Sequence, residues 1–288
     1  MASVYRTAET PVVEGPAGAK GEIDPSGALE RDAPAVRYVD GRREDVSDRV
    51  AAEAVLHLSI NGDKVVSLLC SPTRLEDLAA GFALTSGLID SPGEIREVVR
   101  LDGTRVDLRL EDEERDVASL LAKKIFTTGC GIGMILEDVL YGPMSDPVGD
   151  GVRLRPDDVL LLMADLHRRS GTFKDTGGTH SAAAYDPAER DLIAFAEDLG
   201  RHNAVDKVIG AAIRRGVDLG RAVLVSSGRV SSEVLLKAAR ARCPILVTKS
   251  APTDLAVEIA QAAGITLVAF TRSRKFSVYA HPERIQGF

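Results

Sequence analysis

Between Val55 and Ile60 apolar and polar positions alternate, with Leu56, Leu58 and Ile60 on one face. A two-residue period is that of a half-buried strand. Asn61-Gly62 and a second apolar run, Val65 to Leu69, follow. Asn-Gly between two such runs predicts a tight hairpin, because both central residues need positive φ. Thr73-Arg74-Leu75-Glu76 then has the spacing of a capping box. Leu75, Leu78, Ala79 and Phe82 recur at helical spacing, and Gly87 closes that helix. A second hairpin is predicted at Asp102-Gly103, with Val106, Leu108 and Leu110 alternating after it. The acidic run Glu111 to Glu114 reads as a solvated loop. Residues 1 to about 33 are rich in Pro, Gly, Ala and Glu without an apolar period, and are expected to be a disordered tail.

The second half has a different pattern. Leu192 to Phe195 is a strand candidate, and Val205, Val208, Ile209, Ala212 and Ile213 make a helical stripe. Strand Ala222–Val225, helix Ser232–Ala241, strand Ile245–Val247, helix Thr253–Ala263 and strand Ile265–Phe270 follow in order. Such alternation predicts parallel strands with right-handed crossovers. Ligands in such sheets bind beyond the carboxyl ends of the strands. Three polar segments fall there: Ser226 to Arg229, Lys249 to Thr253, and Thr271 to Lys275. The resulting division is a tail (1–33), an N-terminal α+β region (34–115) and an α/β core (116–288).

Composition narrows the function. The 288 residues are 44% hydrophobic and 27% charged, an ordinary soluble balance. No apolar run reaches the roughly 18 residues of a membrane span, and no secretory signal pattern opens the chain. Three cysteines, Cys70, Cys130 and Cys243, are too few for a disulfide scaffold and suit a reducing cytoplasm. The net charge of −7 and the 4% aromatic content argue against a general nucleic-acid surface. Phosphate recognition would have to be local.

Four segments could carry chemistry. In Thr127-Thr128-Gly129-Cys130-Gly131-Ile132-Gly133 three glycines bracket one thiol. Ile135–Leu140 reads as a helix, whose positive end would favour a Cys130 thiolate; a small buried residue in a Gly-rich turn is the plainer reading. Cys70 and Cys243 read as core residues. In Thr176-Gly177-Gly178-Thr179-His180-Ser181 a Gly pair sits beside hydroxyls and a His, suited to an anion or equally to a turn into a strand at Ala182–Tyr185. Glu197 to Lys207 crowds charge at a strand-to-helix junction, with Asn203 as cap and Asp206 and Lys207 in the first turn. Phe270-Thr271-Arg272-Ser273-Arg274-Lys275 places three cations after a buried strand, either a phosphate site or a basic turn.

Taken together these segments resemble the formate dehydrogenase accessory sulfurtransferase family (FdhD/NarQ) from roughly Ala35 to Ile285. The residues carrying the resemblance are Asn61-Gly62, Asp77-Leu78-Ala79-Ala80-Gly81-Phe82, Gly129-Cys130-Gly131-Ile132, Thr176 to His180, Glu197 to Lys207, Ser227-Gly228-Arg229-Val230, Ser250 to Thr253 and Phe270-Thr271-Arg272. The resemblance implies a cytidine-deaminase-like three-layer α/β/α core, here with an N-terminal region containing a β-hairpin. It implies sulfur transfer: a cysteine desulfurase would load a persulfide on Cys130, and the sulfur would pass to molybdenum in a bis-molybdopterin guanine dinucleotide before insertion into the formate dehydrogenase catalytic subunit. The cofactor segment implied is Phe270, Thr271, Arg272, Ser273, Arg274 and Lys275. For its guanine and pterin ends the turns Gly177, Gly178, His180 and Arg201, His202, Asn203 are the candidates.

Deaminase chemistry itself is not expected. His180-Ser181-Ala182 lacks the Glu of a His-x-Glu motif, there is no Pro-Cys-x-x-Cys, and no cluster has zinc-ligand spacing. No metal is expected to be bound directly, nor any nucleic acid or membrane; a homodimer is left open. One departure matters. Family members commonly carry Cys-Gly-x-Cys, where this chain has Cys130-Gly131-Ile132-Gly133. A single thiol can still form a persulfide but cannot expel it through a local disulfide. The competing reading is a cofactor-binding chaperone in which Cys130 is structural.

Overall fold

A computed structural model describes residues 28–117, 124–127, 133–136, 147–149 and 151–287. The apolar alternation from Val55 becomes β3 (Ala54–Ile60), joined to β4 (Asp63–Cys70) across Asn61 and Gly62 at φ 50° and 87°. Both residues therefore take the positive φ that the hairpin requires. Ahead of them, β1 (Glu30–Val39) and β2 (Arg42–Ala51) pair as an antiparallel ribbon turning at Asp40-Gly41. The strand begins inside the segment expected as tail, and its alternating charges conceal it from an apolar-period search. β5 (Ile95–Arg100) and β6 (Arg105–Leu110) form the second hairpin. Its turn is held by the Asp102 carboxylate, which accepts from the Thr104 and Arg105 amides at 2.7 and 2.8 Å. The four strands lie in the order β4-β3-β6-β5, with β3 and β6 parallel.

Helix α1 (Leu75–Thr85) packs its Leu75, Leu78 and Phe82 into the same core as Leu56, Leu58 and Ile60. Its start differs from the capping-box expectation: the N-cap is Arg74, left-handed at φ 55°, and no side chain caps the helix. Its end follows expectation, with Gly87 at φ 83°. Helix α2 (Pro156–Arg169) and the short α3 (Gly171–Thr176) come next. α2 carries its own start and stop signals, Pro156 at the first turn with Asp157 and Asp158, and basic residues in the last turn.

The larger sheet runs β10-β9-β11-β12-β13-β14. It is built from β9 (His180–Tyr185), β10 (Leu192–Asp198), β11 (Val223–Ser226), β12 (Ile245–Thr248), β13 (Thr266–Arg272) and β14 (Lys275–Ala280). The three central strands β11, β12 and β13 are parallel, as the alternation predicts. The series does not close at Phe270: β13 continues to Arg272 and turns into the antiparallel β14, so the basic segment is a hairpin tip. Helices α4 (Arg201–Arg214), α5 (Ser232–Arg240) and α6 (Asp254–Ala263) cover one face, packing on Ala182, Leu224, Leu246 and Leu267. α2 covers the other, its Val159, Leu162, Met163 and Leu166 meeting Ala183, Val225, Val247 and Val268. Strand residues fully buried on both faces explain the continuous apolar runs of this half.

α1 and α4 cross at closest range through two glycines. A Cβ on Gly81 would fall 1.9 Å from Asp206 O, and one on Gly210 would fall 1.8 Å from Asp77 O. Only residues without a Cβ let the two backbones meet this way. The crossing carries the apolar core without a break from the four-stranded sheet into the larger one.

β7 (Lys124–Thr127) and β8 (Gly133–Leu136) pair antiparallel, Thr127 opposite Gly133. The helix expected over Ile135–Leu140 is therefore replaced at its start by a strand, consistent with the β-branched and unbranched apolar run Met134-Ile135-Leu136. Cys130 lies outside the described residues, between these two strands in sequence.

Candidate functional site

The polar segments that follow β11, β12 and β13 converge, because parallel strands deliver their carboxyl ends to one edge of the sheet. A cavity of about 290 Å³ opens there. Ser227, Lys249, Ser250 and Arg272 come from the strand ends, and His180 and Ser181 from the start of β9. Met163, Leu166, His167, Ser170 and Phe173 form the wall opposite, contributed by α2 and α3. Two cations thus share a small, half-apolar cavity on an acidic chain.

The floor is cross-tied. Ser227 and Ser181 exchange two hydrogen bonds, Ser227 N to Ser181 O and Ser181 N to Ser227 Oγ, each 2.9 Å. Ser170 Oγ lies 2.7 Å from Ser181 Oγ and binds α2 to β9. Thr248 Oγ1 donates to Gly228 O at 2.6 Å and accepts from Ser250 N at 3.1 Å, which fixes the two loops against each other. The Arg272 guanidinium donates to Lys249 O. Glu197 positions the roof: its carboxylate accepts from the Thr172 and Phe173 amides at 3.1 and 2.9 Å and from Thr179 Oγ1 at 3.1 Å. The His180 imidazole is held below its ordinary value, first by burial and then by the positive charges of Arg201, His202 and Arg229. A neutral ring at pH 7 follows.

The basic segment divides. Arg272 lines both this cavity and a second one of about 260 Å³, where Phe270, Lys275, Phe276 and Ser277 join it. Phe270 is exposed at φ 52°, an unusual conformation for an aromatic residue. Thr271 is buried, while Ser273 and Arg274 stand exposed at the tip. The glycine pair has local reasons of its own. Gly177 ends α3 at φ 66°, and Gly178 leaves room for Ala51, whose Cβ would lie 2.9 Å from a Cβ there. His180 is the member of that turn that reaches the cavity.

The charged junction before α4 is largely a clamp. Gly200, not Asn203, is the N-cap, so Asp206 and Lys207 fall in the second turn. Asn203 Nδ2 donates to Leu69 O at 2.7 Å and to Asp198 Oδ1 at 3.0 Å. Asp206 is fully buried with Lys237 Nζ at 2.8 Å and Thr85 Oγ1 at 2.7 Å, and burial holds its carboxyl above the ordinary range. Arg201 and His202 turn the other way, His202 Nδ1 lying 3.1 Å from Glu233 Oε1. Cys70 and Cys243 are buried, and desolvation pushes both thiols up to about 12, so neither supplies a thiolate. Among the described residues no group of three or more His, Cys, Asp or Glu is placed to hold a metal ion. No helix among them is long and apolar enough to cross a membrane.

Sequence reasoning missed the α2 and α3 wall, although the spacing of Val159, Leu162, Met163 and Leu166 was there to find. It reached Lys249 and Ser250 as a strand-end segment without assigning them to the site.

Residues 51–286 match the model of the FdhD/NarQ family. The sulfur carrier protein FdhD of Bacillus subtilis (strain 168) is 38% identical over 253 residues, 87% of this chain and 95% of that protein. The protein of the same name from Geobacillus kaustophilus (strain HTA426) is 36% identical over 264 residues, 90% and 98% of the two chains. A crystal structure of a candidate formate dehydrogenase accessory protein from Desulfotalea psychrophila superposes with a TM-score of 0.76 at 26% identity, covering 90% of this chain and all of that one.

Proposed function

The chain belongs to the FdhD/NarQ family, and on that premise we propose that it is a cytoplasmic sulfur carrier serving formate dehydrogenase, with Cys130 as its persulfide-forming thiol. The single observation that carries this reading is the family match over residues 51–286, which takes in Cys130 and the cationic cavity alike. The thiolate of Cys130 attacks the sulfane sulfur of a cysteine desulfurase persulfide, and the desulfurase thiolate leaves. The outer sulfur would then pass to the molybdenum centre of a bis-molybdopterin guanine dinucleotide cargo, with the Cys130 thiolate as leaving group and the two electrons supplied by the reduced metal centre or by an external thiol, which makes the protein a sulfurtransferase. The layering of α2, the six-stranded sheet and α4 to α6 supports placing the core in the cytidine-deaminase-like class.

The residues present fit one phosphate-bearing end of such a cargo. Lys249 and Arg272 supply point and forked donors, Ser227 and Ser250 supply hydroxyls, and the cavity of about 290 Å³ takes a fragment of the molecule, not the whole. Phe270, Arg272 and Lys275 offer a flat ring and two cations on the adjoining surface. Neutral His180 donates or accepts one hydrogen bond there without adding charge.

The alternative of a cofactor-binding chaperone draws on residue 133, a glycine where relatives commonly have a second cysteine. Incubation with a cysteine desulfurase and cysteine, followed by mass spectrometry of peptides, separates the two. A mass increase of one sulfur on Cys130, absent from Cys70 and Cys243, is expected. An unmodified Cys130 under conditions that load a known acceptor would leave the chaperone.

A further inference from the structure

Arg201 begins α4 with its stem across Gly228, where a Cβ would come 2.9 Å from Arg201 Cβ. The side chain is 8% exposed, its Nε is buried, and among the described residues no acceptor meets it. A buried guanidinium nitrogen without an acceptor is costly, and native structures rarely leave one without a ligand or solvent partner. Two further buried side-chain atoms, one on the next residue of α4 and one at the start of α5, share that condition. His202, also 8% exposed, is held at Nδ1 by Glu233 while its Nε2 has no partner. Ser231 is the N-cap of α5, yet its hydroxyl makes no capping bond and is likewise unsatisfied. The His202–Glu233 pair brings the N-termini of α4 and α5 together at this point, 14 and 9 residues long. Both present the positive ends of their dipoles.

We propose that Arg201, His202 and Ser231 form an oxyanion site that takes a phosphate group of the ligand. It is distinct from the Lys249–Arg272 cavity, and His180 adjoins both: it lines that cavity and its ring feels the charge of Arg201. A ligand spanning the two sites carries two phosphate-class groups, as a dinucleotide does. The site rests on the cargo reading above only for the identity of that natural ligand. Nearby carboxylates do not cancel it, since Glu233 is engaged by His202 and Asp198 by Lys207.

Inorganic phosphate is the probe, titrated calorimetrically into the full chain carrying Lys249→Gln and Arg272→Gln, so that the neighbouring cavity is silenced. Saturable binding is expected, weakened at least about tenfold by adding Arg201→Gln and by adding Ser231→Ala, and largely kept with Arg201→Lys. Should Arg201→Gln fail to fold, Ser231→Ala decides alone. The titration of His180 followed by NMR gives a second readout. Its ring faces Arg201, His202, Arg229 and Asp198, with Lys249 and Arg272 in the cavity. Phosphate beside Arg201 offsets positive charge and moves the His180 titration upward; a purely structural Arg201 leaves it in place. Absent binding in the silenced background, or equal affinity with and without Arg201, overturns the site. Neither measurement involves Cys130, so failure here and failure of persulfide loading are told apart. Guanosine diphosphate in the unsilenced protein tests the source: binding lost through both Arg201→Gln and Arg272→Gln indicates a nucleotide spanning the sites, and loss through Arg272→Gln alone overturns the spanning ligand.

Discussion

Lys207 Nζ lies 2.6 Å from Asp198 Oδ2, and neither side chain has any exposure. Each partner has further bonds. Lys207 also donates to Ser71 O at 3.0 Å, and Asp198 accepts from the amides of Ser71 at 3.0 Å and Gly200 at 2.8 Å. The pair therefore stitches the end of β4 to the turn entering α4. Removing one member leaves a charge buried without its counterpart, which costs about 3–5 kcal/mol. Lys207→Met and Asp198→Asn are each expected to lower the urea midpoint sharply, and Lys207→Met with Asp198→Leu to recover part of the loss. A double variant no more stable than the worse single would show that the surrounding bonds, not the pairing, set the stability.

The crossing of α1 and α4 makes a second claim on stability. Gly210→Ala drives a methyl into the Asp77 carbonyl, a backbone atom that cannot swing aside. Overpacking of this kind costs about 1–3 kcal/mol or more. Gly216 gives the contrast: at φ 65° with open space around it, an alanine meets only local backbone strain of about 1–2 kcal/mol. Thermal unfolding of both variants should show the larger loss at 210, and persulfide loading of the folded fraction should be unaffected in either.

Acid stability tests the environment of His180. A ring held below 6.5 binds fewer protons folded than unfolded. Its contribution is therefore complete above pH 6.5 and is lost as the pH falls from there through the folded value. Replacing it by glutamine removes that dependence. Between the natural protein and His180→Gln, the difference in unfolding free energy should shrink or invert as pH drops below 6.5. A constant difference across the range would mean the ring is not held neutral by its surroundings.

Within the basic hairpin the structure distinguishes cations that the sequence presents as equals. Arg272 reaches two cavities, whereas Arg274 stands at the tip and lines neither. Arg272→Gln is expected to weaken guanine-nucleotide binding by at least about tenfold, in line with the loss of one charge-assisted contact. Arg274→Gln should change it by less than about threefold and mainly through salt-dependent attraction. Equal losses would place the ligand over the tip.

These contrasts show where the sequence was readable. Asn61-Gly62 specified its hairpin because the turn demands positive φ at both positions, and few residues supply it. The order of β11, β12 and β13 was readable because buried parallel strands are continuous apolar runs bounded by helices. The ribbon of β1 and β2 was not, since exposed strands with Arg31, Asp32, Arg37, Arg43, Glu44 and Asp48 have no apolar face to reveal. The junction at Glu197 to Lys207 was marked by its charge, yet charge density alone could not separate Asp198 and Lys207, which pair with each other, from Arg201 and His202, each of which keeps a buried nitrogen without a partner. That distinction depends on Ser71 and Glu233, both distant in sequence.

If Cys130 carries the sulfur, as proposed, the glycine at residue 133 in place of a second thiol sets how long that sulfur is held. Gly133 opens β8 opposite Thr127, at a strand position. Gly133→Cys would give the two-cysteine pattern that the family resemblance implies. The new thiolate can attack the Cys130 persulfide at its inner sulfur, form a disulfide with Cys130 and release hydrosulfide. A persulfide on the natural chain lacks that route and must wait for an acceptor. Desulfurase-loaded protein, freed of desulfurase and followed by cyanolysis, should lose its sulfane sulfur faster in Gly133→Cys than in the natural chain. Gly133→Ala controls for the side chain itself and should match the natural rate, while Cys130→Ser should load none. Equal decay in natural and Gly133→Cys protein would mean that the two positions do not meet, and that the lone cysteine is no device for retaining sulfur.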